Sequence, residues 1–358
     1  MSFKVWIPIL VLAVVAALSV ILPCVGGEVP LTSGYKVLSP IRHGNLTVFP
    51  VAAASSHNTQ SFLTLDEGLR SGEVIVTEAG NVQPLMRRRN RLVTHDGAQV
   101  NQLVLVNNSK RPLILLAGEI VTGGKQDRVI GKDRLVPAES DPIDLGVFCV
   151  EPGRWTATSA KFGPLAPMAS PAVRARAMSD KDQAKVWSEV RNAQTVVASR
   201  LPAPAAAEVA GTSSYAGVMQ NEEVKQQVDS IAEPIQRNYQ SLIQQLRERN
   251  AVGVVVAVNG EIIWADIFAS TALLEKYWPK LVRSYAAEAF VTKAKGRETD
   301  VKSAQEFLDA MEGRRETVES EPGLYRHTEI TGDGFKAFEL TALLPKTGFD
   351  LHVAKMAE

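Results

Sequence analysis

A chain of 358 residues, 45% apolar and 22% charged, has the balance of a globular protein with a sizeable core, which excludes disorder throughout. Lys plus Arg and Asp plus Glu each number 39, so no excess of positive charge points to general binding of nucleic acid or of anionic lipid. The local run Arg87-Arg-Arg-Asn-Arg91 reads as a solvated or carboxylate-paired strand end, with a binding patch as the alternative.

The chain opens with Lys4, an almost uncharged apolar run from Val5 to Leu22, Pro23, and then Val25-Gly26-Gly27 before Glu28. That order is a positive region, an apolar region and a small-residue cleavage site, so residues 1–27 read as an export signal and the mature chain as secreted or periplasmic. The run approaches the roughly 20 residues that span a bilayer, and the alternative is an uncleaved anchor bearing an extracytoplasmic domain. Membrane contact is expected only in that case. Cys24 sits where a lipidated Cys would, but Pro23 stands where the lipidation box needs a small residue. Loss of residues 1–27 leaves Cys149 alone, so no internal disulfide can form and core burial must supply stability.

Between Tyr35 and Ala54, Gly-Asn-Leu-Thr-Val-Phe-Pro-Val is a strand candidate, and Pro50 suits it to a sheet edge because Pro cannot donate to a ladder. Phe62–Leu65 leads into Asp66-Glu-Gly-Leu69, one helical turn, and Glu73–Glu78 alternates with the period of a half-buried strand. Gln102–Val106 and Pro112–Leu116 flank Asn107-Asn-Ser-Lys-Arg111, which predicts a β-hairpin. Arg128–Ile130, Arg134–Val136 and Ile143–Val150 are further strands. So few helices between so many strands exclude a doubly wound parallel sheet.

Phe162–Pro171 is a Pro/Gly connector, and Ser179-Asp180 predicts the cap of a helix to about Val197. Leu201–Ser214 is low in complexity and reads as a flexible loop. Asn221 caps an amphipathic helix carrying Val224, Val228, Ile231, Ile235, Tyr239, Leu242 and Leu246, which Pro234 should kink. Asn259-Gly260 between Val252–Val258 and Glu261–Trp264 is a strong hairpin signal, since a type I′ turn needs positive φ at both central residues. Ser270–Thr292 and Val301–Met311 read as helices, and Gly323–Val353 holds three strands, among them Phe335–Leu340 and Asp350–Val353. The expected fold is α+β in one domain from residue 28 to 358, β-rich with antiparallel hairpins over 35–155 and mixed helix and strand over 179–354.

Chemistry concentrates where the apolar run Leu113–Ala117 gives way to Gly118-Glu119 and then to Gly123-Gly124-Lys125-Gln126-Asp127-Arg128, followed by Cys149-Val-Glu-Pro-Gly-Arg-Trp155. With Gly253–Gly260, these motifs resemble the domain named for its association with ADP-ribosylglycohydrolases and rhodanese-phosphatases, over roughly Leu38 to Val353. That association implies NAD, ADP-ribose or phosphorylated nucleotide metabolism; it implies no particular reaction.

Read residue by residue, Glu119 can act as a general acid/base if burial raises its carboxyl toward neutrality, or can receive Arg128 or Arg154 as a structural ion pair. Gly123 and Gly124 can turn backbone N–H groups into an anion-binding concavity, with charge from Lys125 and Arg128 and orientation from Gln126; a tight turn without ligand is the plainer reading. The spacing is not that of a P-loop. Asp127 is the second acid/base candidate. Glu151, Arg154 and Trp155 would wall the same pocket, Trp155 stacking on a base or capping the core. Cys149, at a strand end with no nominated His, reads as a buried thiol rather than a nucleophile. His43, His57, His95, His327 and His352 are scattered and suggest no metal, and no cofactor is nominated. Three readings follow: a module binding an anionic, nucleotide- or ADP-ribose-like molecule; a hydrolase of such a molecule using Glu119 or Asp127; or a structural extracytoplasmic protein whose polar cluster is an internal ion-pair network.

Overall fold

A computed structural model describes residues 34–79, 99–163, 167–245 and 250–358, with the side chains of 242–245 not described. The expectations for the leader, the Arg87–Arg91 run, His95 and Leu246 lie outside the described residues. The first half carries β1 (Tyr35–Val37), β2 (Ile41–His43), β3 (Leu46–Ala53), β4 (Leu63–Thr64), α1 (Leu65–Ser71) and β5 (Val74–Glu78). It continues through β6 (Gln102–Asn107), β7 (Leu113–Leu115), β8 (Ile120–Gly123), β9 (Arg128–Ile130), β10 (Arg134–Val136), β11 (Ile143–Cys149) and β12 (Phe162–Gly163). Helices follow: α2 (Pro171–Ala175), a π-helical turn (Arg176–Asp180), α3 (Gln183–Ser199), α4 (Ala203–Gly211), α5 (Tyr215–Gln220) and α6 (Glu222–Gln245). The remainder is β13 (Asn250–Val258), β14 (Glu261–Phe268), α7 (Thr271–Val291), α8 (Val301–Asp309), β15 (Arg314–Glu321), β16 (Tyr325–Gly332), β17 (Phe335–Ala342) and β18 (Asp350–Ala357).

The fold is α+β, with a β-rich N-terminal half and a mixed C-terminal half. The largest sheet has the order β1-β3-β13-β14-β18-β17-β16-β15, with β2 also paired to β3, and all of its pairs are antiparallel. A second, antiparallel sheet runs β12-β8-β9-β11-β6-β5, and a small one runs β10-β7-β4. Along β13, Val254, Val256 and Val258 join the core under α6 and α7, whereas Val252, Val255 and Ala257 join the core under α8. Burial on both faces is why this strand is an uninterrupted apolar run.

Local signals set several boundaries. Asn259 and Gly260 adopt φ of 55° and 75°, the hairpin turn that joins β13 to β14. Ser270 caps α7 by accepting from the Leu273 N–H, and Asn221 accepts from the N–H groups of Glu223 and Val224 at the start of α6. That helix continues through Pro234.

Other expectations are corrected. Gln102–Val106 and Pro112–Leu116 do not pair as a hairpin: β6 lies between β11 and β5, while β7 lies between β10 and β4. The bonds of the intervening corner go elsewhere, Asn108 N–H to Glu73 O, Ser140 N–H to Asn107 O and Glu139 N–H to Ser109 O. Pro50 is not at an edge but inside β3, flanked by β1, β2 and β13. Its carbonyl accepts from Leu38 N–H, and N and C=O of an extended residue face the same side, so the missing N–H costs no ladder bond toward β13. Asp182, not Ser179 or Asp180, caps α3, because Lys181 at φ 52° closes the preceding π turn on Arg176 O. Residues 203–211 form α4 rather than a loop: its Pro lies in the first turn, where no intrahelical N–H is needed, and Ala205 and Val209 are buried. The charged strand β15 carries little apolar signal and was not expected.

Candidate functional site

The loop between β8 and β9 turns because Gly123 and Gly124 take φ of 121° and 51°. A Cβ on Gly124 would stand 2.4 Å from the Phe162 ring and 2.7 Å from Glu78 Oε1. The N–H groups that the turn exposes are already occupied by the protein's own acceptors. Gly123 N–H donates to Asp127 Oδ1 at 3.0 Å, Gly124 N–H to Ser159 Oγ at 3.2 Å, Lys125 N–H to Glu78 Oε1 at 2.7 Å and Asp127 N–H to Glu151 Oε2 at 2.9 Å. The backbone concavity is therefore filled by the carboxylates of Asp127, Glu78 and Glu151 and by the Ser159 hydroxyl.

Arg154 locks this arrangement. Its Nε and Nη2 hold the two oxygens of Glu151 at 2.6 and 2.5 Å, and its Nη1 reaches the carbonyls of Gly124 and Thr156 at 3.0 and 2.9 Å. Fork-to-fork geometry of this kind is among the strongest ion-pair arrangements, and the Glu151 fork holds the Arg154 charge above its usual range. Asp127 accepts from Ser214 Oγ at 2.6 Å, and burial pushes its carboxyl up despite that bond and the Gly123 N–H. Gln126 Nε2 donates to Glu151 O at 3.0 Å.

Arg128 differs from its neighbours. Its side chain is 0% exposed, yet it forms no ion pair among the described residues. Its Nη1 and Nη2 reach Asp127 O and Gln99 O only at 3.5 Å, and Nε has no partner. Burial pulls its guanidinium down, against charge from Cys149 and Glu78 at longer range. Glu78 Oε2 and Gln126 Oε1 are also buried without partners. Above this group Trp155 is 44% exposed, with Lys125 Nζ 4.9 Å and Arg128 Cζ 5.9 Å from its ring centre. Trp155 thus forms an open aromatic face rather than a core plug. Cys149, paired in register with Arg128, is buried and its thiol pushed up by that burial; Gln183 closes on its backbone with two 2.8 Å bonds.

Glu119 belongs to a different environment. It lies opposite Ile130 in the antiparallel β8–β9 pair, three residues along the ladder from Asp127, which is about 10 Å. Glu119 is 0% exposed and accepts from Leu116 N–H at 2.9 Å and Lys280 Nζ at 3.2 Å, and Lys280 also meets Asp66 Oδ1 at 2.7 Å. Its cation is thus Lys280 of α7, not Arg128 or Arg154. Burial pushes the Glu119 carboxyl up, with Lys280 opposing it.

Behind Glu119 lies a polar cluster that the motifs do not announce. Arg174 grips Asp266 with two 2.9 Å bonds, Tyr285 O–H donates to Asp266, and His352 bridges Asp133 at 2.5 Å and Asp266 at 3.1 Å. All five side chains are buried, and Arg174 lies over the Trp264 ring at 4.4 Å. Gly118 makes this possible: a Cβ there would stand 2.5 Å from Arg174 Cγ, at a φ of 95°. Lys280, Arg174, Asp133, Asp266, Glu78 and Ser214 were missed as contributors, since each reaches its partners from a distant segment. The sequence signal for Lys280 was its place with Lys276 and Arg283 on one face of a predicted helix.

Residues 34–354 match the family model described as the ARG and Rhodanese-Phosphatase-superfamily-associated Protein domain, and the chain belongs to that family. No curated protein and no solved structure matches it.

Proposed function

We propose that this protein binds an anionic small molecule, of nucleotide or ADP-ribose type, at Arg128, Lys125 and Trp155. The observation that carries the reading is Arg128: a fully buried guanidinium that forms no ion pair among the described residues and has an idle Nε. A charge removed from water without a partner is costly, and a ligand phosphate or carboxylate would complete it. The exposed Trp155 face gives a base or sugar a stacking surface. The family's name, which links it to ADP-ribosylglycohydrolases, favours the ADP-ribose class within that chemistry. Gly123 and Gly124 serve in this reading by holding the loop, since their N–H groups are bound internally, and Gln126 and Glu151 with Arg154 support it.

A thermal-shift panel on wild type and Arg128→Ala with ADP-ribose, NAD, nucleotides and sugar phosphates tests this. Ligand at a hundred times its dissociation constant adds about 2.7 kcal/mol, a rise of roughly 4 °C at this size, and the variant should show none of it. No rise with any of these ligands sinks the reading.

Hydrolysis of such a ligand is the second reading, supported by the Ser214 hydroxyl 2.6 Å from the Asp127 carboxylate and by the upward push on Asp127 and Glu119. It requires turnover that Asp127→Asn or Glu119→Gln abolishes. The leader reading of residues 1–27 places the encounter with ligand outside the cytoplasm, and N-terminal sequencing of the exported chain checks the cut near Gly27.

A further inference from the structure

A cleft of about 770 Å³ opens over Lys280, lined on its polar side by Asp66, Arg70, Lys225, Lys276, Lys280 and Arg283. Its size is that of a small-molecule site. Three of its cations come from α7, at positions four and then three residues apart, which places them along one helix face. Arg70 arrives from the last turn of α1 and Lys225 from the first turn of α6. Apolar wall is supplied by Pro167, Met168, Met219 and Pro279.

The charges divide into two groups. Lys276 meets Glu67 at 2.9 Å, Arg283 meets Asp229 at 2.8 Å, and Lys280 is held between Asp66 and Glu119. Arg70 and Lys225, both exposed, form no ion pair among the described residues; Arg70 Nε donates to the Asp66 carbonyl at 3.0 Å. Two cations without an ion pair among the described residues therefore join three fixed ones around one concavity that also presents Asp66, Thr122 and Gln220 and is otherwise apolar.

From this placement we propose that the cleft is a second ligand site, distinct from Arg128, for a small organic molecule carrying at least two negative charges. Its anionic groups meet Arg70 and Lys225, its apolar body lies on Met168, Met219 and Pro279, and Lys280 marks the floor. Flexible thioethers suit such a wall because they conform to varied shapes.

The test is calorimetric titration of the full-length chain with inorganic pyrophosphate at low ionic strength. Wild type is compared with Arg70→Ala/Lys225→Ala, Arg70→Lys/Lys225→Arg and Arg128→Ala. The cleft event should be the same in wild type, Arg128→Ala and the charge-conserving variant and at least tenfold weaker in the double alanine variant, while any second event that depends on Arg128 is lost only in Arg128→Ala. The exposed positions should leave the melting temperature of each cleft variant unchanged. Absence of binding to wild type, or equal binding to the double alanine variant, overturns the proposal. So does loss on Arg128→Ala with the double alanine variant unaffected, which would assign the ion to Arg128 instead.

Discussion

Replacing Arg174 by Met tests the energetic account of the buried cluster. Both partners of the Arg174–Asp266 pair are wholly buried and joined by two 2.9 Å bonds. Removing the cation strands a carboxylate that then relies on His352 Nε2 and the Tyr285 hydroxyl alone. Breaking one side of a buried pair costs about 3–5 kcal/mol. The unit Leu31–Glu358 has an unfolding entropy near 0.7 kcal/mol/K by per-residue scaling, so the melting temperature should fall by about 4–7 °C. Differential scanning calorimetry reads this directly. The double variant Arg174→Met/Asp266→Asn should recover part of the loss, because neutralising both members removes the stranded charge. A fall under about 2 °C in the single variant, or a double variant that loses the sum of both single losses, would refute the reasoning.

Two further outcomes follow from the same cluster. Gly118→Ala combines a φ of 95° with a Cβ 2.5 Å from Arg174 Cγ, and should cost at least about 2 kcal/mol of strain and displacement in chemical unfolding; a loss under 0.5 kcal/mol, roughly the limit for an ordinary surface change, would show the contact is easily relieved. Burial alone would lower the charge of His352, but the Asp133 and Asp266 carboxylates outweigh it and raise its pKa from 6.5 to about 9. A raised folded-state value stabilises fully below the unfolded value and is lost as pH climbs through the folded one, so unfolding free energy should drop by about 3 kcal/mol between pH 6.5 and pH 9 and beyond. In His352→Gln this slope should flatten; an equally steep decline there would assign the effect to other groups.

What the sequence determined by itself was local. Periodicity placed most strands and the ends of α7, Asn259-Gly260 dictated its turn because few residue pairs accept positive φ twice, and Asn221 announced α6. The glycine-rich polar loop was visible as an abrupt change from apolar to charged residues. Which strands pair was decided elsewhere: β6 and β7 are adjacent in sequence yet lie in different sheets, because Glu73, Glu139 and Ser140 take the backbone bonds of the corner between them. Ala-rich residues 203–211 became a helix once α3 offered Val209 a surface on which to bury. The partners of the site's charges were settled in the same way. Glu119 finds its cation 161 residues away on α7, and Asp133, Arg174, Asp266 and His352 converge from four segments. Side-chain type shows that a charge needs a partner, but only packing brings that partner within hydrogen-bond reach, and among the described residues packing brought Arg128 no carboxylate.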